Sequence, residues 1–152
     1  MGLAAANEID VLAAARRNVS GGYVPDASEP YMNPEQLEFF RNLLIEWKHS
    51  ILDAAAGTLQ QLQDGPIREP DLNDRASSET DWGIELRTRD RQRKLIAKID
   101  SALRRIDEGE YGYCEVTGEP IGLGRLIARP IATMTVEAQE AHERREKISR
   151  DD

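Results

Sequence analysis

The sequence predicts a mainly α-helical protein built on one long antiparallel coiled-coil hairpin, and three observations carry that prediction. Apolar residues recur at alternating threes and fours along Leu37, Phe40, Leu44, Trp47, Ile51 and Ala54, which is the spacing of a heptad seam. A second helical stretch of similar length, more polar, follows after a short breaker-rich loop and runs to Gly109. Glycines and prolines then crowd together before the helical VEAQEAHERREKIS closes the chain, so the hairpin should stand on a small irregular knob with a C-terminal helix.

Taken in order, residues 1–32 read as an N-terminal segment that packs on the globular base. A short helix from about Ala4 to Arg17 is followed by the breakers SGGYVPDASEP. The coiled coil spans 33–108. Asn33 suits an N-cap and Pro34 the first helical position, where its missing N–H costs nothing. Met32 and Leu37 stand at the two staple positions, and Gln36 can reach back to the cap. This helix, whose apolar series extends to Leu62, should stop near Asp64-Gly65-Pro66, which puts the hairpin tip near 65–76. The second arm carries Ala76, Trp82, Ile84 and Leu86, then Leu95, Ile99, Leu103 and Ile106, with no apolar residue between Arg87 and Lys94. Two such helices joined by a short loop run antiparallel, as a rod of roughly 45 Å. A seam that is apolar near the base and charged midway suits insertion into a partner better than self-association, so the chain should be a monomer. Residues 109–135 read as turns and short strands, and 136–152 as the closing helix.

Composition bounds the function. The chain has 152 residues, 39% hydrophobic and 32% charged, with only two Trp, four Tyr and two Phe. That is thin for a large enzyme core and too patterned for disorder. No apolar run approaches the ~20 residues of a membrane span, and the N-terminus lacks the apolar core of an export signal. The single cysteine, Cys114, precludes an internal disulfide and a multi-cysteine metal cage. The expectation is a soluble cytoplasmic protein with no membrane association.

Charge is uneven. The net charge is −8, yet Arg87 to Arg105 holds eight basic residues against two acids, +6, leaving −14 elsewhere. A basic block in an acidic protein either meets something anionic or is a solvated helix face, while the global acidity opposes direct binding of duplex DNA. Arg91, Lys94 and Lys98 share one face, at four-residue and near-four-residue spacing, and such a face can hold pyrophosphates by charge-assisted bonds. At the tip, Asp71 and Asp74 serve equally as an N-cap with a first-turn acid, or as carboxylates carried to a partner on the end of a rod. With Asp81 they offer oxygen ligands for Mg²⁺, but a hairpin tip is convex where a metal-dependent nuclease needs a cleft, which argues against a self-contained enzyme. Trp47 and Trp82 read as packing residues. His49 needs no special role. Cys114 reads as a vestige or small core residue whose neighbours Glu115 and Glu119 should not lower its pKa.

The segments YMNPEQLEFFRNLLIEW, DLNDRASSE, ELRTRDRQRKLIAKID, GEYGYCEVTGEPI and RLIARPIA together resemble the DksA/TraR family over residues 31–150. The resemblance implies a zinc-finger-like globular domain carrying a coiled coil that enters the secondary channel of bacterial RNA polymerase. It implies modulation of initiation with guanosine tetraphosphate in the stringent response, with ribosomal RNA promoters down and amino-acid biosynthesis promoters up. Carried over by position, Asp71, Asp74 and Ala76 form the tip acting near the polymerase active site. Arg91 and Lys94 become polymerase contacts, and Leu95, Lys98 and Arg129 alarmone contacts. Position 139, commonly basic in the family, is Gln139 here.

One departure is plain. The family pattern C-x2-C-x17-C-x2-C falls on Cys114, Thr117, Thr135 and Ala138. A lone thiolate does not hold structural zinc, and adding nearby His142 still leaves two ligands missing. Zinc is therefore not expected, and no cofactor should be tightly bound. The knob must then be held by Ile121, Leu123, Leu126, Ile127, Ile131, Met134 and Val136. Two other functions stay open from the residues: a Gre-type transcript-cleavage factor, which also has an acidic coiled-coil tip, and a structural coiled-coil adaptor.

Overall fold

The computed structural model describes residues 11–17, 23–63 and 72–151. The helices are α1 (residues 11–17), α2 (Pro34–Gln63), α3 (Leu72–Glu108), α4 (Leu123–Ala128) and α5 (Val136–Asp151). Residues 64–71, which include most of the tip expected near 65–76, lie outside the described residues.

α2 begins where its sequence directs it. The Gln36 backbone N–H donates to Asn33 Oδ1 at 2.8 Å, satisfying one of the donors a helix start leaves without partners. The reciprocal bond differs from the expectation: Gln36 Oε1 accepts from the N–H of Met32, at 2.7 Å, and not from the cap itself. Met32 itself stands at a left-handed φ of 54°. The Gln36 side-chain amide also donates to the Asp26 carbonyl at 3.3 Å, so this fully buried amide is engaged at both ends and fixes the chain's entry into the helix.

The two long helices pack through Phe40, Leu43, Leu44, Trp47 and Ile51 on α2 against Ile99, Ala102 and Ile106 on α3, all buried in one core. Two ion pairs flank the seam, Arg41–Asp107 at 2.6 Å and Lys48–Asp100 at 2.8 Å. The first partners are one heptad apart going up α2 and the second one heptad apart going down α3, which fixes an antiparallel register. On α3 the inward face follows threes and fours through Trp82, Glu85, Arg89, Gln92, Ile96, Ile99, Leu103 and Ile106. Ile84 and Leu86, expected among the apolar marks, flank that line and are 53% and 59% exposed. The outer seam is instead polar, with Glu85 buried and Arg89 Nε 3.6 Å from its carboxylate.

α3 ends as predicted at Glu108, with Gly109 at φ 78° and the N–H groups of Glu110 and Tyr111 both bonded to the Arg105 carbonyl, the left-handed stop that glycine permits. The knob beyond it differs from the expected strands. Among the described residues the only bridge is Tyr113 to Pro120, and Leu123–Ala128 forms a helical turn and a half. Leu123, Leu126 and Ile127, spaced by three and one, all face the core, which a strand's alternation does not allow. Val136, expected to pack, is at the start of α5 and is 45% exposed.

Polar bonds tie the knob to the rod. The buried Tyr111 hydroxyl donates to the Pro130 carbonyl at 2.8 Å, and its ring lies 5.5 Å from that of Phe40. The Tyr31 hydroxyl donates to the Gly112 carbonyl at 2.7 Å and accepts from the Gly122 N–H at 3.0 Å. Arg16 of α1 donates to the carbonyl of Ala128 at the end of α4, at 3.2 Å. No helix among the described residues is long and apolar enough to cross a membrane.

Candidate functional site

The site is assembled on α3. Arg87, Arg91, Lys94 and Lys98 fall four, three and four residues apart on a face adjoining the seam, and all are exposed. Lys94 pairs with Asp90 one turn back at 3.1 Å, an exposed helix pair of small energetic weight. The row leads to a cavity of about 410 Å³ where rod and knob meet. Lys98 lines it from α3, Arg125 from α4, Arg129 from the turn after α4, and Gln139 and His142 from α5. Arg125 is anchored by its Nε–H, which donates to the Met134 carbonyl at 3.0 Å.

Two acids, Glu143 and Glu146, share the α5 wall. Each is engaged by a neighbour on its own helix: Gln139 Nε2 donates to Glu143 at 3.1 Å, and His142 Nε2 lies 3.0 Å from Glu146. Three cations from three segments therefore face a cavity whose acids already have partners. That arrangement suits an anion with several phosphate oxygens. Leu95 packs partly buried against the core and does not line this cavity.

Of the residues the sequence singles out, Lys98 and Arg129 come together here, with Gln139 beside them. Arg91 and Lys94 lie farther out along the same helix. Asp71 lies outside the described residues. Asp74 and Ala76 are on the first turns of α3, and their side chains lie outside the description. Sequence reasoning missed Arg125 and considered His142 only beside the zinc pattern. Both were accessible from spacing, since Arg125 is one turn before Arg129 and His142 one turn after Gln139.

Below the cavity, the four positions of the zinc pattern remain close in space but do not fit a zinc ion. The Thr135 hydroxyl accepts from the Ala138 N–H at 3.2 Å and so caps α5, and Ala138 offers only a methyl. No group of three or more His, Cys, Asp or Glu among the described residues is placed to hold a metal. Cys114 is buried, and its own N–H donates to the Glu119 carbonyl at 2.8 Å. Burial acts to raise its thiol, but donors around the sulfur outweigh it: the Thr117 hydroxyl, then the backbone N–H groups of Thr135, Thr117 and Val116, bring the pKa down to about 7. Neither Glu115 nor Glu119 is among the groups that lower it, as expected, but the donors around the sulfur are not anticipated by the sequence. The neighbouring acids do not control the thiol, because backbone donors point at the sulfur.

Comparison with known proteins follows the same division of the chain. Residues 36–106 match the profile of the DnaK suppressor protein DksA, N-terminal domain, and residues 109–144 that of the prokaryotic dksA/traR C4-type zinc finger. A Caulobacter vibrioides protein named RNA polymerase-binding transcription factor DksA is 62% identical over 130 residues, covering 86% of this chain and 92% of that one. The protein of the same name from Escherichia coli K12 is 41% identical over 125 residues, covering 82% and 83%. The structure of transcription factor DksA2 from Pseudomonas aeruginosa superposes with a TM-score of 0.71 at 39% identity, covering 87% of this chain and 98% of that one. With both halves matched in order along one hairpin and its knob, the chain belongs to the DksA/TraR family.

Proposed function

We propose that this chain is a transcription factor that binds bacterial RNA polymerase directly and modulates initiation, with no enzymatic activity of its own. The observation that carries the reading is a basic row on a long rod that ends in a three-cation cavity at the rod's base, in a chain 62% identical to a relative named as a polymerase-binding factor. A rod of two helices, with a polar outer seam, is shaped to enter the polymerase secondary channel tip first. Asp71, Asp74 and Ala76 then act near the active site, while Arg91 and Lys94 contact the channel rim. Lys98 and Arg129 take the phosphates of guanosine tetraphosphate where the knob meets the polymerase, and Leu95 packs beside them. The polar seam disfavours pairing with a second copy, so the working species is a monomer, and the knob folds without zinc.

The experiment is initiation from a ribosomal RNA promoter and from an amino-acid biosynthesis promoter, with and without the alarmone, on polymerase lacking its own alarmone site. Inhibition of the first and activation of the second, both increased by alarmone, is the expected result. Binding without any effect on initiation supports a plain adaptor, and cleavage of transcripts in paused complexes supports a Gre-type factor; either outcome overturns the proposal.

A further inference from the structure

Around Glu85 the usual ordering of an amphipathic helix is inverted. Glu85 is buried at 9% exposure, while its chain neighbours Ile84 and Leu86 are 53% and 59% exposed. Successive helical residues stand about 100° apart, so the two apolar side chains leave α3 on opposite flanks of the inward line. Burying a carboxylate and leaving apolar surface in water both cost free energy. The return inside the rod is slight: the Glu85 carboxylate lies 3.6 Å from Arg89 Nε, and that Nε is buried without a hydrogen-bond partner. Turning distal α3 by one residue's step would bury Ile84 and release Glu85 to water. It would also carry Arg91 inward, because Ile84 and Arg91 are one heptad apart on one face.

The two flanks differ in chemistry. From Ile84, steps of three, four, three and four residues reach Arg87, Arg91, Lys94 and Lys98, all exposed. Ile84 is therefore the tipward end of the basic row. From Leu86, steps of four, three and four reach Asp90, Arg93 and Ala97, and the Lys48–Asp100 ion pair follows. That flank is of mixed charge. We propose that Ile84 is the apolar anchor through which the basic row of α3 seats on RNA polymerase, against an apolar patch of the channel wall about 10 Å tipward of Arg91. The proposal rests on the reading of the chain as a polymerase-binding factor and deepens it. Exposed cations steer an approach and are screened by salt, whereas an apolar side chain desolvated beside them holds the complex. A second copy of this chain is a poor occupant of the same face, since it would bring its own basic row against this one.

The test is competition for core RNA polymerase between a labelled parent chain and unlabelled full-length Ile84→Ser, Ile84→Leu, Leu86→Ser and Arg91→Ala, at low and at raised salt. About half of the Ile84 side chain remains to be buried, so Ile84→Ser should weaken binding roughly five- to tenfold. Its helix content and denaturant melt should match the parent's, and Ile84→Leu should bind as the parent does. Leu86→Ser makes the same chemical change at similar exposure on the other flank and should leave affinity unaltered. The Arg91→Ala defect should shrink as salt rises, while the Ile84→Ser defect persists. Parent-like binding by Ile84→Ser, with Arg91→Ala impaired, overturns the anchor and leaves the polymerase reading intact. Equal losses from Ile84→Ser and Leu86→Ser, with both melts unchanged, overturn it as well, because the contact is then not confined to one flank. Sedimentation showing a parent dimer that Ile84→Ser dissolves gives the face to a second copy and also overturns it. A parent chain that does not bind polymerase at all overturns the underlying reading.

Discussion

Thr135 and Ala138, two of the four positions where a C4 zinc finger places its ligands, are joined by a hydrogen bond of 3.2 Å from the Ala138 backbone N–H to the Thr135 hydroxyl. The hydroxyl that replaces a thiolate is thus committed to capping α5, and Cys114 sits among donors and not among fellow ligands. In a metal-held finger the binding free energy contributes directly to folding. In this knob, Tyr111, Ile121 and Leu126 are buried, and the Tyr31 and Tyr111 hydroxyls bond across it. The purified protein should carry substoichiometric zinc, and its melting temperature should be the same with and without chelator. Stoichiometric zinc, or a melt lowered by chelation, refutes this. Thr135→Val should cost about 0.5–2 kcal/mol through the lost cap, read by denaturant melts.

The Cys114 thiol should titrate near 7, measured by thiolate absorbance near 240 nm against pH. It is an acid whose folded value is depressed below the ordinary ~8.5. Its ionisation therefore adds stability that is fully present above that ordinary value and is lost as pH falls through about 7. The stability difference between the parent and Cys114→Ala should accordingly widen from pH 7 to pH 9. Thr117→Val removes the foremost lowering donor and should move the midpoint upward; a parent midpoint at or above the ordinary thiol value contradicts the hydrogen-bonded account.

Asp74→Asn should abolish the effect on initiation while leaving polymerase affinity largely intact, because on the proposed function affinity should be spread along the rod and knob. Competition binding against a labelled parent, paired with a promoter assay, separates the two quantities. Parallel loss of affinity and function makes Asp74 a binding residue. A melt lowered by about 0.5–2 kcal/mol makes it part of the helix cap. Asp71→Asn should behave similarly.

Tyr31→Phe should destabilise the fold by about 1–3 kcal/mol, because it leaves the Gly122 N–H without its partner inside the knob. Gly112→Ala should cost at least as much: φ there is +94°, and an added Cβ would come 2.8 Å from Met32 Cγ, the side chain that closes the entry into α2. Guanidinium melts of the two variants and the parent give both values. A neutral Gly112→Ala result would show that Met32 can swing aside without loss.

The parts of this fold that are legible in the sequence are those written locally. Asn33, Pro34 and Gln36 announce the start of α2, Gly109 announces the end of α3, and the heptad run from Leu37 to Ile51 announces the seam. The face of α3 is harder to read, because its outer half is set by Trp82, Glu85, Arg89 and Gln92. Burying polar groups at seam positions hides the period from a search that follows apolar residues. The left-handed Met32 is not legible either, since its side chain lies against Gly112, far away along the chain. For the candidate site, Lys98 stands out in the basic run of the sequence and Arg129 and Gln139 only through the family resemblance; Arg125 and His142 lie one turn from these in sequence, while their meeting in one cavity depends on how α4 and α5 pack. The Cys114 shift escapes a sequence reading because backbone donors leave no trace in residue identity.

The heptad offset between Arg41–Asp107 and Lys48–Asp100 makes the rod a ruler graduated in units of seven residues. Excising one heptad from each arm beyond Lys48 and before Asp100 keeps every remaining pair facing its partner and shortens the reach by about 10 Å, at 1.5 Å per residue. Excising four residues from each arm shortens it by only about 6 Å, yet turns the distal segment by roughly 40° relative to the base, because four residues overshoot one 3.6-residue turn. Depth and azimuth of the tip can thus be varied separately in the same molecule. A polymerase that responds to depth alone will tolerate the second deletion better than the first, and one that needs a particular face presented at its active site will do the reverse.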